Sequence, residues 1–286
     1  MKLWKACLLI VVLFLSLLLG CQPQKGTLIL ATTTSTQDSG LLDAIIPIFE
    51  KEYNATVKTI AVGTGEAIAM GERGEADVLL VHSPAAENKF VSEGYGVERV
   101  DVMYNDFVIV GPATDPAGIK GMDTLAAMRR IVDTQSLFVS RGDDSGTHKK
   151  EKVLWEKAGV SPSNDHYIST GQGMGQTLRI ADEKKGYTLV DRGTYLALRP
   201  SIDLVILVEG DEVLFNPYGV IAVNPEKFPK VNYDLATKFI QWITSVETQK
   251  IIGEFGVEKY GQPLFVPNSK EWRATEGVRW DLWGKV

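Results

Sequence analysis

The 286-residue chain has a mass of 31.4 kDa and is 44% hydrophobic and 23% charged, which places it among globular proteins and excludes a disordered or fibrous one. Thirty Lys and Arg against 36 Asp and Glu leave a net charge of −6 and a pI near 5.3, which argues against a non-specific binder of nucleic acid or anionic membranes, since those carry basic stripes. Single cores seldom grow past ~250 residues, so the length favours two domains. Both cysteines, Cys7 and Cys21, lie in the first 21 residues. The body therefore has no disulfide framework and no thiolate metal site, and must stand on its core.

Lys2 and Lys5 precede an apolar run from Ala6 to Leu19, which ends at Leu18-Leu19-Gly20-Cys21 and turns polar at Gln22-Pro23-Gln24-Lys25. This is the anatomy of a signal peptide over residues 1–20. The run is shorter than the ~20 residues a membrane-spanning helix needs. Leu-Leu-Gly-Cys also resembles the lipobox of bacterial lipoproteins, which implies that Cys21 becomes an acylated N-terminus and that residues 21–25 form a lipidated linker. Several acyl chains would hold the body on a membrane surface outside the cytoplasm. Loss of residues 1–20 removes two lysines and no acid, so the net charge moves from −6 to −8.

The body alternates strand and helix patterns. Thr27 to Ala31 reads as a strand, and Gly40 to Tyr53 as a helix with Leu41, Ala44, Ile45, Ile48 and Phe49 on one side. Thr56 to Val62 is a second strand and Gly65 to Gly71 a short helix. Ala76 to Val81 is a continuous apolar run suited to a buried parallel strand. A second αβ set follows, with helices expected over 119–132, 149–158 and 177–185 and strands over 136–139, 166–169 and 188–190. Phe107 to Val110 and Val220 to Val223 look like a matched pair of crossovers flanking that set. Leu235 to Gly253 is one strongly amphipathic helical region with Phe239, Ile240, Trp242, Ile243 and Val246 as core, and the tryptophans from Trp272 to Trp283 should pack on a domain surface. Such alternation predicts an α/β fold with right-handed crossovers. No repeat or low-complexity segment interrupts it.

Four loops at strand ends could carry chemistry, because open α/β sheets bind ligands at the carboxyl ends of their strands. The first is Ala31-Thr32-Thr33-Thr34-Ser35-Thr36, whose five hydroxyls exceed the one that a helix cap needs. The second is Gly63-Thr64-Gly65-Glu66, where two glycines let backbone approach a ligand while Thr64 donates. The third is Ser140-Arg141-Gly142-Asp143-Asp144-Ser145-Gly146-Thr147-His148, which sets Ser145, Gly146 and Thr147 at a helix N-terminus beside the donor fork of Arg141. A plain Arg141 to Asp143 or Asp144 salt bridge is the alternative there. The fourth comprises Ser169 to Gly175 and Asp191 to Tyr195, where Arg192 is either a second anion contact or a structural partner of Asp191. The three histidines lack metal-ligand spacing, and no Gly-x-x-x-x-Gly-Lys-Ser/Thr loop is present, so neither a metal nor another cofactor is expected. Asp-Asp-Ser-Gly at 143–146 leaves an extracytoplasmic serine hydrolase using Ser145 and His148 as a rival from another class.

The lipobox, the two αβ sets and the hydroxyl and glycine loops together resemble the type II extracytoplasmic solute-binding proteins of ABC importers. Ala31 to Ser35, Val62 to Ala67, Ala76 to His82 and Ser140 to His148 are similar to the tungstate-binding components of tungstate importers, over nearly all of the mature chain. The resemblance implies a two-lobed type II periplasmic-binding-protein fold, with lobe 1 over 26–109 and 220–286 and lobe 2 over 110–219, joined by two crossover strands. It also implies one tetrahedral dianion between the lobes, held by Thr33, Thr34, Ser35, Thr64, Arg141 and the amides of Ser145, Gly146 and Thr147. The expected partner is an importer permease, and the expected state is a monomer. Molybdate is nearly isosteric with tungstate. Phosphate carries a proton near neutral pH, and Asp38, Asp143 or Asp144 could accept it, so both remain alternatives.

Overall fold

The computed structural model describes residues 25–275. Residues 1–20, Cys21, Trp280 and Trp283 lie outside the described residues. The strands are β1 (Gly26–Thr33), β2 (Ala55–Val62), β3 (Val78–Val81), β4 (Gly96–Gly111), β5 (Phe138–Ser140), β6 (Tyr167–Ser169), β7 (Thr188–Asp191), β8 (Val205–Val208), β9 (Phe215–Val223) and β10 (Val266–Pro267). β1 lies between β2 and β3, parallel to both, and β3 runs antiparallel to β9. β9 pairs antiparallel with β4, whose other neighbour in this half is β10.

The protein is two-lobed, and β4 and β9 join the lobes. β4 pairs with β9 as far as Asp106↔Phe215, and from Phe107 to Gly111 its neighbours are β7 on one side and β8 on the other. β5 continues this second sheet through the Phe138↔Tyr187 bridge, with β6 parallel beyond it. The Phe107–Val110 and Val220–Val223 segments therefore do lie in the two crossovers, but they do not face each other. The first is in the sheet with β7 and β8, the second pairs with β3, and the crossing point is upstream at Asn105 and Asn216, which are register partners. Asn105 and Asp106 are part of the continuous β4 strand.

Helices cover both sheets. Leu41–Tyr53 buries Leu41, Leu42, Ile45, Ile46 and Phe49. The buried stripe is thus rotated from the expected one, and Ile48 is 39% exposed. The helix around 119–132 begins only at Thr124, capped by Asp123, which accepts the Ala126 amide at 2.9 Å. Leu235 to Gly253 is two helices, Tyr233–Thr244 and Val246–Glu254. Ser245 separates them in an extended conformation and caps the second by accepting the Thr248 amide. Phe239, Trp242 and Ile243 are buried from the first helix, and Phe239 and Trp242 pack on Phe49 with ring centroids 5.2 Å away.

Candidate functional site

The strand ends of both lobes open on one cleft of about 460 Å³. Among the described residues, five helices begin at or beside residues that line it. Thr34–Asp38 and Thr64–Glu72 follow β1 and β2, while Gly146–Ala158, Met174–Lys184 and Arg192–Leu198 follow β5, β6 and β7. Gly63 and Gly173 stand at two of the N-caps with no side-chain cap, so the first-turn amides there are left to a ligand or to water. Converging helix N-termini make a field suited to an anion whatever the sign of the net charge. Distant acidic side chains are screened beyond ~8 to 10 Å.

Most of the residues chosen from sequence meet here. Thr33, Thr34, Thr64, Arg141, Ser145, Gly146 and Thr147 all line the cleft. The hydroxyl run is divided between tasks. Thr32 Oγ1 donates to the Leu80 carbonyl at 2.7 Å and ties β1 to β3. Thr33 Oγ1 lies 2.6 Å from Thr36 Oγ1 and accepts the Thr36 amide at 3.3 Å, while Thr34 is exposed to the cleft. Ser35 is in the first turn of the Thr34–Asp38 helix.

Arg141 makes the salt bridge expected as its alternative role, with Asp143 as the partner. Its Nε and Nη2 donate to Asp143 Oδ2 at 3.1 and 2.5 Å, and it still lines the cleft. Burial alone would raise the Asp143 carboxyl, but hydrogen bonds from Ser145 and Arg141 bring its pKa below the usual value. Asp144 turns outward to Lys149 and Lys152, and hydrogen bonding and charge from these lysines lower its pKa. Among the three carboxylates expected as possible acceptors for a protonated anion, only Asp38 borders the cleft. Ser145 Oγ accepts the His148 amide as the helix cap, and His148 Nδ1 accepts the Asp144 amide at 2.9 Å. Both groups thus shape the turn that opens this helix.

Arg192 is a correction. It is 3% exposed, and its Nε and Nη2 donate to Asp106 at 2.7 and 2.6 Å, with a further bond from Nη2 to Glu209 at 2.7 Å. The guanidinium is thus neither on the cleft wall nor on Asp191. Asp191 instead caps its own helix, accepting from the Thr194 amide and hydroxyl. Buried Asp106, helped by Glu209 at the exposed edge, outcompetes a wet cleft for the guanidinium, because an unpaired buried charge is costly.

The sequence reading missed the cleft floor. His82 follows β3, stands on Tyr218 with centroids 4.8 Å apart, and places Nδ1 3.0 Å from Asn216 Oδ1. Asn216 Nδ2 donates to Asn105 Oδ1 at 2.8 Å. The Asn216 oxygen must then accept, so His82 Nδ1 carries the proton. His82, Asn105, Asn216 and Tyr218 all line the cleft. The available signal was two asparagines breaking apolar strand runs.

A family model for the PBP superfamily domain matches residues 22–247. The chain belongs to the PBP superfamily. Within this superfamily it is 55% identical over 248 residues to the tungstate-binding protein TupA of Peptoclostridium acidaminophilum, covering 86% of this chain and 87% of the relative. It is 50% identical to the solved tungstate binding protein TupA from Desulfovibrio alaskensis G20, covering 86% of this chain and 100% of that one at a TM-score of 0.80. The solved tungstate ABC transporter from Geobacter sulfurreducens is 54% identical, covering 80% and 98% at a TM-score of 0.71.

Proposed function

We propose that this protein captures tungstate, and the nearly isosteric molybdate, in the cleft between its lobes and delivers the anion to an ABC importer. The observation that carries this reading is the convergence of Thr34 and Thr64 from one lobe with Arg141 and the Gly146 and Thr147 amides from the other in a single cleft. A tetrahedral dianion stripped of water needs donors on all sides. Charge-assisted hydrogen bonds from Arg141, and helix N-termini around it, supply them. Phe107, Leu198, Leu264 and Phe265 form apolar parts of the wall, which lowers the local dielectric and strengthens each polar contact. Relative rotation of the lobes about β4 and β9 would let a permease distinguish loaded from empty protein.

On this reading the protein is a receptor and not an enzyme, and works as a monomer outside the cytoplasm. Its anchor is an acylated Cys21. Thr33 and Ser35 join Thr34 on the lobe 1 side of the ligand, and Ser145 acts through its helix cap. Titration calorimetry of residues 22–286 with tungstate, molybdate, sulfate and phosphate tests the proposal. One-to-one tungstate binding with rejection of sulfate and phosphate is expected, and binding of none of them would refute it. Cys21→Ser should move the protein from membranes to the soluble fraction, and retention on membranes would refute the anchor.

A further inference from the structure

We propose that Ser140 and Glu151 are positioning residues for the oxyanion site and act on the ligand through Arg141; the inference rests on the proposed role of Arg141 as an anion contact. Glu151 is 2% exposed on the inner face of the Gly146–Ala158 helix. Its carboxylate receives three hydrogen bonds, from Ser140 Oγ at 2.6 Å, Tyr167 OH at 2.7 Å and Trp155 Nε1 at 3.0 Å. All three donors are neutral. A carboxylate buried this way is costly, and an apolar residue would anchor a helix at least as well. What the carboxylate provides and an apolar side chain could not is a directed bond to Ser140.

Ser140 is the last residue of β5 and the one before Arg141. Besides donating to Glu151, its Oγ accepts the Gly142 amide at 3.1 Å. The Ser140 carbonyl accepts the Thr170 amide at 3.0 Å, and the Arg141 carbonyl accepts the Gly171 amide at 2.7 Å. The backbone on both sides of Arg141 is therefore fixed by the helix that begins at the cleft and by the loop after β6. Ser140 is 1% exposed and absent from the cleft wall, so it cannot touch the ligand itself. A guanidinium launched from a clamped backbone loses little freedom on binding, and fixing a contact residue from behind raises affinity without adding a contact.

The test is a double-mutant cycle. Tungstate affinity is measured for Ser140→Ala and Glu151→Gln, each in the native chain and in Arg141→Ala, with unfolding midpoints measured alongside. Each substitution should weaken binding about tenfold in the native chain and by clearly less in Arg141→Ala, because the group being positioned is already gone. An equal loss in both backgrounds, or no loss in the native chain, would overturn the proposal even if stability falls. Ser140→Ala carries the test alone if Glu151→Gln fails to fold. If the native protein binds no tungstate, the functional reading fails and this inference fails with it. If the native protein binds and Arg141→Ala binds equally well, the functional reading survives and this inference does not.

Discussion

Arg192 grips Asp106 with two hydrogen bonds, 2.7 and 2.6 Å long, at the point where β4 passes from one lobe to the other. Asp106 is the last β4 residue to pair with β9, and Arg192 directly follows β7, which pairs with Phe107. Burial opposes the charge on Arg192, yet hydrogen bonds and charge from Asp106 and Glu209 leave its pKa raised. Arg192→Ala should therefore unfold more easily by about 3 to 5 kcal/mol, because it strands a buried carboxylate. Denaturant titration checks this, and calorimetry on the folded fraction should find tungstate affinity nearly unchanged. Lost affinity at native stability would return Arg192 to the ligand.

His82 gives the protein a pH dependence whose sign follows from its burial. Desolvation lowers its pKa from 6.5 to about 4, against the hydrogen bond with Asn216. The folded state then binds this proton less readily than the unfolded chain. The contribution is complete above 6.5 and is lost as pH falls toward about 4, reaching at most about 3 kcal/mol. One edge of the ring borders the cleft, so water there keeps the effect below that ceiling. Unfolding midpoints measured across this window should fall less steeply in His82→Asn. Identical slopes would show that His82 is not held neutral.

Gly142 is the one position in the Arg141 loop where a side chain cannot be placed. Its φ is +61°, and an added Cβ would lie 1.6 Å from Ser169 Oγ and 2.9 Å from Ser169 Cβ. Rotating the hydroxyl away cannot relieve the second contact. Gly142→Ala should cost about 1 to 2 kcal/mol in backbone strain and about 1 to 3 more in overpacking. It should also weaken tungstate binding by displacing Arg141. Adding Ser169→Gly should restore part of the binding but not the backbone term. Full affinity in the single variant would contradict the loop geometry.

The sequence carried the strand and helix alternation because each element has a clear period, and the loops carried the site because strand ends are where α/β sheets place ligands. Seven of the residues singled out converge on the cleft, namely Thr33, Thr34, Thr64, Arg141, Ser145, Gly146 and Thr147. What was not legible depended on long-range partners. Arg192 is drawn to Asp106, 86 positions away, and Asn216 meets Asn105 across 111. Neither pairing has a local signature. The break at Ser245 was legible in principle, since Ser245 followed by Glu247 and Thr248 offers a cap inside an apolar period, but amphipathicity alone runs straight through it.

The most direct test of the account is a crystal structure of residues 22–286 grown with tungstate, with the tungsten located by its anomalous scattering. One strong peak is expected in the cleft, within hydrogen-bonding reach, through its oxygens, of Thr34, Thr64, the Arg141 guanidinium and the Gly146 and Thr147 amides. A peak elsewhere, or a cleft without tungsten in protein soaked to saturation, would contradict it.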